Sequence, residues 1–73
     1  MVEIDINYCA QWNYKPEAAS LAEELKGVFG AEVTLIPGGS GVFDVTVDGK
    51  LVYSKTKTGR FPNPGEVVKI LKE

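Results

Sequence analysis

The chain has 73 residues with 8 Lys and Arg, 10 Asp and Glu, one Cys and no His, for a net charge of −2. A domain of that size has one core and buries only about 60% of its unfolded surface, and the lone thiol and missing His exclude an internal disulfide and the usual Cys/His zinc sets. The balance of charge argues against general nucleic-acid binding, no apolar run approaches the roughly 20 residues of a bilayer span, and MVEIDIN lacks a leader's basic-then-apolar order, so a cytoplasmic single domain over residues 1–73 without membrane association is expected.

Val2, Ile4, Ile6 and Tyr8 alternate with Glu3, Asp5 and Asn7, the period of a strand with one apolar face. Pro16 suits the first turn of a helix in which Ala18, Leu21, Ala22, Leu25, Val28 and Phe29 recur at three- and four-residue spacing until Gly30. A second strand follows over 32–36, with Val33 and Leu35 on one face, and PGGSG ends it. The third strand spans 42–47, and Asp48-Gly49 turns it into a fourth over 51–54. A two-residue turn would put Leu51 and Tyr53 on the face of Asp44 and Thr46. A three-residue turn with Gly49 left-handed unites Phe43, Val45, Leu51 and Tyr53, and is preferred because it buries more apolar surface. The segment KTKTGR reads as a basic loop, and Asn63 and Pro64 read as the N-cap and first position of a last helix carrying Val67, Val68, Ile70 and Leu71.

This order is βαβββα, an α+β arrangement. The crossover through the first helix makes the first two strands parallel, and the fourth runs with them. Three loops then share one end of the sheet, namely YCAQWNYKP, PGGSG and KTKTGR, at the end where open sheets of parallel strands bind ligands. Glu3 and Asp5, opposite the apolar face, predict that both helices cover one face and leave the other wet. The expected core holds Leu21, Leu25, Phe29, Val33, Leu35, Phe43 and Val45.

YCAQWNYKP with its following helix, GVFDVTVDGKLVYSK and GRFPNPGEVVKIL resembles the Rdx family, the selenoprotein W/T/H-like thioredoxin-fold proteins, over nearly the whole chain. Members typically carry Tyr-Cys-x-x-(Cys or selenocysteine)-x-Tyr-Lys-Pro. Tyr8, Cys9, Tyr14, Lys15 and Pro16 match, and the second redox residue falls on Trp12. The resemblance implies a two-layer thioredoxin-like fold, a four-stranded mixed sheet in order 2-1-3-4 with both helices on one face, and a cell-redox role centred on Cys9. The chain departs from thioredoxins in having no proline at Ser40, Gly41 or Val42, where they place one beside the active cysteine.

Indole cannot resolve a mixed disulfide, so the expected chemistry is that of a single accessible thiol forming a reversible mixed disulfide or glutathione adduct at Cys9. No cofactor is implied beyond glutathione as a redox partner, and whether the chain is an enzyme is left open. Lys15 and the basic segment are the nearest groups to favour a thiolate, and Tyr8, Ala10, Gln11 and Tyr14 complete the loop that would meet a partner. Lys55, Lys57 and Arg60 are expected to border Cys9 and attract an anion. Trp12 has two readings: a ring folded over the loop in place of a second sulfur, or an exposed anchor for a partner. The second belongs to an alternative function, a redox-inactive protein-binding module built on the Cys9–Trp12 loop, its partner unidentified and the chain a monomer or weak homodimer. PGGSG lacks the pattern of a phosphate loop, and Glu23 and Glu24 read as a solvated helix face.

Overall fold

Alternation in the first strand is realised as a buried face of Ile4, Ile6 and Tyr8 within β1, Glu3–Cys9. The computed structural model describes residues 2–73. After β1 come α1 (Lys15–Phe29), β2 (Glu32–Gly38), β3 (Phe43–Val47), β4 (Lys50–Ser54), α2 (Lys55–Thr58) and α3 (Glu66–Lys72). The sheet has four strands in order β2-β1-β3-β4, with β1 and β2 parallel, β3 antiparallel to β1 and β4 antiparallel to β3. Its topology is the expected one with one added helix.

One core joins the layers. The sheet contributes Ile4, Ile6, Tyr8, Phe43, Val45 and Tyr53, α1 contributes Ala18, Leu21, Ala22 and Leu25, and α3 contributes Val67. Phe29, Val33 and Leu35, expected in the core, pack against its rim. Val28 and Ile70 are exposed, because each falls at the margin of its helix's apolar stripe and the small sheet does not reach that far. Glu24 is not on a free solvated face, since its carboxylate accepts a hydrogen bond from the Gly65 N–H at 3.1 Å.

The hairpin corrects the preferred register. Val47 pairs with Lys50 and Thr46 with Leu51, as a two-residue Asp48-Gly49 turn requires, and both turn residues have positive φ (50° and 84°). Leu51 therefore lies on the outer face and is exposed. The pairing then shifts between Val45 and Thr46 so that Tyr53 meets Val45. Val52 is the extra residue of a bulge, which returns Tyr53 to the inner face. Each register was half right, and the bulge joins the halves.

KTKTGR is not all loop. Residues 55–58 make one helical turn, closed by the Gly59 N–H donating to the Lys55 carbonyl at 2.7 Å and by the Thr58 hydroxyl on the Ser54 carbonyl at 3.0 Å. The last helix starts later than Asn63-Pro64 suggests. Glu66 N–H donates to the Asn63 carbonyl at 2.9 Å and Asn63 N–H to the Glu66 carboxylate at 2.8 Å, half of a capping box. Gly65, however, sits at φ 81°, a left-handed step that interrupts the turn, so regular helix begins at Glu66. The second strand continues through Pro37, tolerated because β2 is a sheet edge. Among the described residues, no helix is long and apolar enough to cross a membrane.

Candidate functional site

Strand directions bring the carboxyl ends of β1, β2 and β4 together, and side chains confirm the convergence. The Ser40 hydroxyl donates to the Gln11 side-chain oxygen at 3.1 Å. The Trp12 ring lies against Gly41, and Lys55 Nζ stands 5.5 Å from the centroid of the Tyr14 ring.

Cys9 is the last residue of β1, and strand alternation turns it away from the helices, opposite in sense to Tyr8. It is nonetheless 0% exposed, contrary to the accessible thiol expected from sequence. Its own loop folds back onto it. The Trp12 backbone N–H donates to Cys9 Sγ at 3.3 Å, and the Tyr14 N–H donates to the Cys9 carbonyl at 3.2 Å. Asn13, at φ 59°, supplies the left-handed step that lets the chain curl back, a conformation that Asn tolerates better than most residues. Ala10, Gln11, Trp12 and Asn13 are themselves exposed.

The other candidate residues divide. Tyr8 belongs to the core rather than to a binding surface, because its position in β1 faces the helices. Trp12 is 58% exposed, with one part of the ring on Gly41 and the rest open. Tyr14 is half-buried and meets Phe61 edge to face at 4.7 Å. Phe61 in turn meets Phe43 at 5.2 Å. Lys15 is exposed at the start of α1.

The three cations of the basic segment have different fates. Arg60 does not offer a free charge beside Cys9. It donates to both Glu66 carboxylate oxygens, at 2.6 and 2.8 Å, and this bidentate pair raises the guanidinium pKa further and lowers Glu66 to about 2, with the Asn63 N–H adding to the carboxylate's stabilisation. Arg60 is anchored further where its carbonyl accepts from the Tyr53 hydroxyl at 2.8 Å. Lys57 lines the cleft between β4 and α3 with Leu51, Glu66 and Ile70. Lys55 alone is set against the loop of Cys9, over the rings of Tyr14 at 5.5 Å and Phe61 at 5.3 Å. Sequence reasoning missed Phe61, Gly41 and Asn13 as parts of this end. Phe61 lies far from Cys9 in the chain, but Asn13 between Trp12 and Tyr14 was a readable signal for a left-handed step.

Among the described residues no group of three or more metal-ligating side chains converges. The site holds one sulfur, one N–H aimed at it, a cation held by two rings, and an exposed indole. It presents an exposed aromatic contact beside a covered thiol.

The model of the Rdx family matches residues 3–73. Two relatives named migration and invasion enhancer 1, from Bos taurus and Mus musculus, are each 29% identical over 72 residues, covering 97% of this chain and 63% of theirs. The chain thus spans less than two thirds of the length of these relatives. Among solved structures, a protein from Bordetella parapertussis superposes with a TM-score of 0.92 at 32% identity, covering 97% of this chain and 94% of that one. A selenoprotein W-related protein from Vibrio cholerae gives 0.91 at 27% identity, covering 97% and 92%.

Proposed function

The chain belongs to the Rdx family, and from that premise we propose a cytoplasmic thiol-redox role carried by Cys9 alone, with a small anionic disulfide such as oxidised glutathione as partner. The observation that carries the reading is the placement of the only sulfur nucleophile at the end of β1, under a loop of exposed residues, with the Trp12 N–H 3.3 Å from Sγ. When the loop opens, the deprotonated sulfur attacks one sulfur of the disulfide RSSR. The S–S bond breaks, and the departing RS⁻ takes up a proton equal to the one Cys9 released. The net change is Cys9–SH + RSSR → Cys9–SSR + RSH. A second RSH reverses it by attacking the mixed disulfide, which releases the Cys9 thiol and RSSR, and the loop then closes so that the Trp12 N–H returns to Sγ. Because position 12 is indole, release depends on that external thiol. Lys55 favours carboxylate-bearing thiols by its charge, and a reducing compartment suits an unpaired cysteine.

Incubating the folded protein with excess oxidised glutathione tests this. One glutathionyl group per chain, detected by intact mass, removed by dithiothreitol and missing from Cys9→Ser, is the expected result. A folded parent that forms no adduct overturns the proposal.

A second reading is favoured by one observation, the 58% exposure of Trp12. As a protein-binding module the chain would use this indole as its anchor and the thiol would be incidental. Partner binding retained by Cys9→Ser and lost by Trp12→Ala would support that reading.

A further inference from the structure

The only tryptophan and the only cysteine of this chain are joined so that the state of one governs the other. We infer that Trp12 is a latch, its ring seated over Gly41 in the closed state, and that modification of Cys9 and seating of the ring exclude each other. The inference rests on the proposed thiol chemistry only for the natural reagent, not for the latch itself.

Four contacts define the closed state. The Trp12 N–H occupies the approach to Sγ at 3.3 Å. The ring is close enough to Gly41 that a Cβ there would stand 3.0 Å from Cζ3 and 3.4 Å from Cη2. Gly41 also has φ 73°, so a side chain is opposed both by the ring and by the backbone. The Gln11–Ser40 bond at 3.1 Å ties the same two loops, and the Tyr14 ring meets the indole edge to face at 6.1 Å. Cys9 is 0% exposed beneath them. A substituent on the fully buried Sγ must displace the Trp12 N–H that lies 3.3 Å from it and the loop of residues 10–13 that carries it. Those residues must lift, which breaks the Trp12 N–H···S bond and draws the ring off Gly41.

The coupling is reciprocal, as linkage demands. A contact that holds the indole down protects the thiol, and one that draws it away exposes the thiol. In the other direction, a mixed disulfide at Cys9 frees the indole, so the chemical state of a buried sulfur is displayed at the surface as a seated or released aromatic side chain. Trp12 is thus a positioning residue whose own emission reports its position.

The test uses iodoacetamide, which forms a thioether at Sγ with loss of iodide and of the thiol proton. Cys9 in Trp12→Ala should alkylate about tenfold faster than in the parent, equivalent to about 1.4 kcal/mol of preference for the closed loop. Gly41→Ala should accelerate in the same direction, and Ser40→Ala, which removes only the tether to Gln11, should do so less. Alkylation of the parent should shift Trp12 emission to the red and increase its quenching by added iodide. Gly41→Ala should show that spectrum before any reagent is added, and Cys9→Ser should not respond to the reagent. A folded Trp12→Ala that alkylates at the parental rate overturns the latch, as does an alkylated parent whose emission is unchanged. Failure of the proposed function would look different: no variant, Trp12→Ala included, would form a mixed disulfide with oxidised glutathione, while the alkylation and emission responses held.

Discussion

Replacing Phe43 by alanine should remove a large part of the stability of this protein. Phe43 opens β3 opposite Tyr8, is 0% exposed, and meets the Phe61 ring at 5.2 Å and 87°. Core Phe→Ala changes cost about 3–5 kcal/mol, with an edge-to-face pair supplying roughly 0.5–1.5 kcal/mol beyond area burial. Phe43 also borders the cleft between α1 and residues 62–64, so solvent can enter the space left behind. That places the cost at the lower end, about 3 kcal/mol. A chain of this length has a total of about 4–11 kcal/mol, so the variant should be marginal. Urea titration by far-UV circular dichroism, with Trp12 emission as a second probe, measures the change. A loss under about 1 kcal/mol with an unchanged urea slope would show that Phe43 does not anchor the sheet to the loops as argued.

Two further outcomes follow from the polar network and the loop. Glu66 has a folded pKa of about 2 against an ordinary 4.5, so its bonds with Arg60 and Asn63 contribute fully above 4.5 and are lost as pH falls toward about 2. Urea midpoints of the parent should therefore drop across that window more steeply than those of Glu66→Gln, and added salt should shrink the difference because the pair is partly exposed; equal slopes would remove Glu66 as the cause. Trp12→Cys should close a disulfide with Cys9 under mild oxidation and gain dithiol reductase activity on a small disulfide, because the Trp12 N–H already reaches back to Sγ, at a cost of about 1 kcal/mol for the lost ring contacts. Intact mass, thiol titration and a reductase assay check it, and a folded variant with both thiols reactive and no bridge would refute it.

What could be read from sequence and what could not differ by the range of the forces involved. The apolar alternation of β1 and the Leu21–Leu25 stripe of α1 are local patterns that burial enforces, so the single covered face followed from them, whereas the strand order came from the resemblance to the Rdx family. Helix α2 carries no apolar residue in KTKT, and its turn is held by Gly59 and by bonds from Thr58 back to Ser54, which no periodicity announces. The bulge at Val52 reflects a contest between the Asp48-Gly49 turn, which sets one register, and Tyr53, which needs the other to reach the core. The convergence of the three loops was legible because they must meet where three strands end. The burial of Cys9 was not, because strand alternation turns it outward and its cover involves the return of the loop that brings the Trp12 N–H onto Sγ. The neutralisation of Arg60 likewise depends on where α3 begins, which Gly65 decides.

Trp12, Tyr14, Phe61 and Phe43 form an unbroken series of edge-to-face rings, with centroids 6.1, 4.7 and 5.2 Å apart, drawn from three separate segments of the chain. Residues in such direct contact do not mutate independently, and their effects on stability are non-additive. The consequence is epistasis between the exposed loop and the core: the cost of changing any one ring depends on the other three. An indole at position 12 extends the series to the surface, and once Tyr14 and Phe61 have adjusted to it, replacement by a small sulfur residue is no longer a neutral step. A substitution at position 12 therefore carries a packing consequence that reaches toward the core as well as a chemical one.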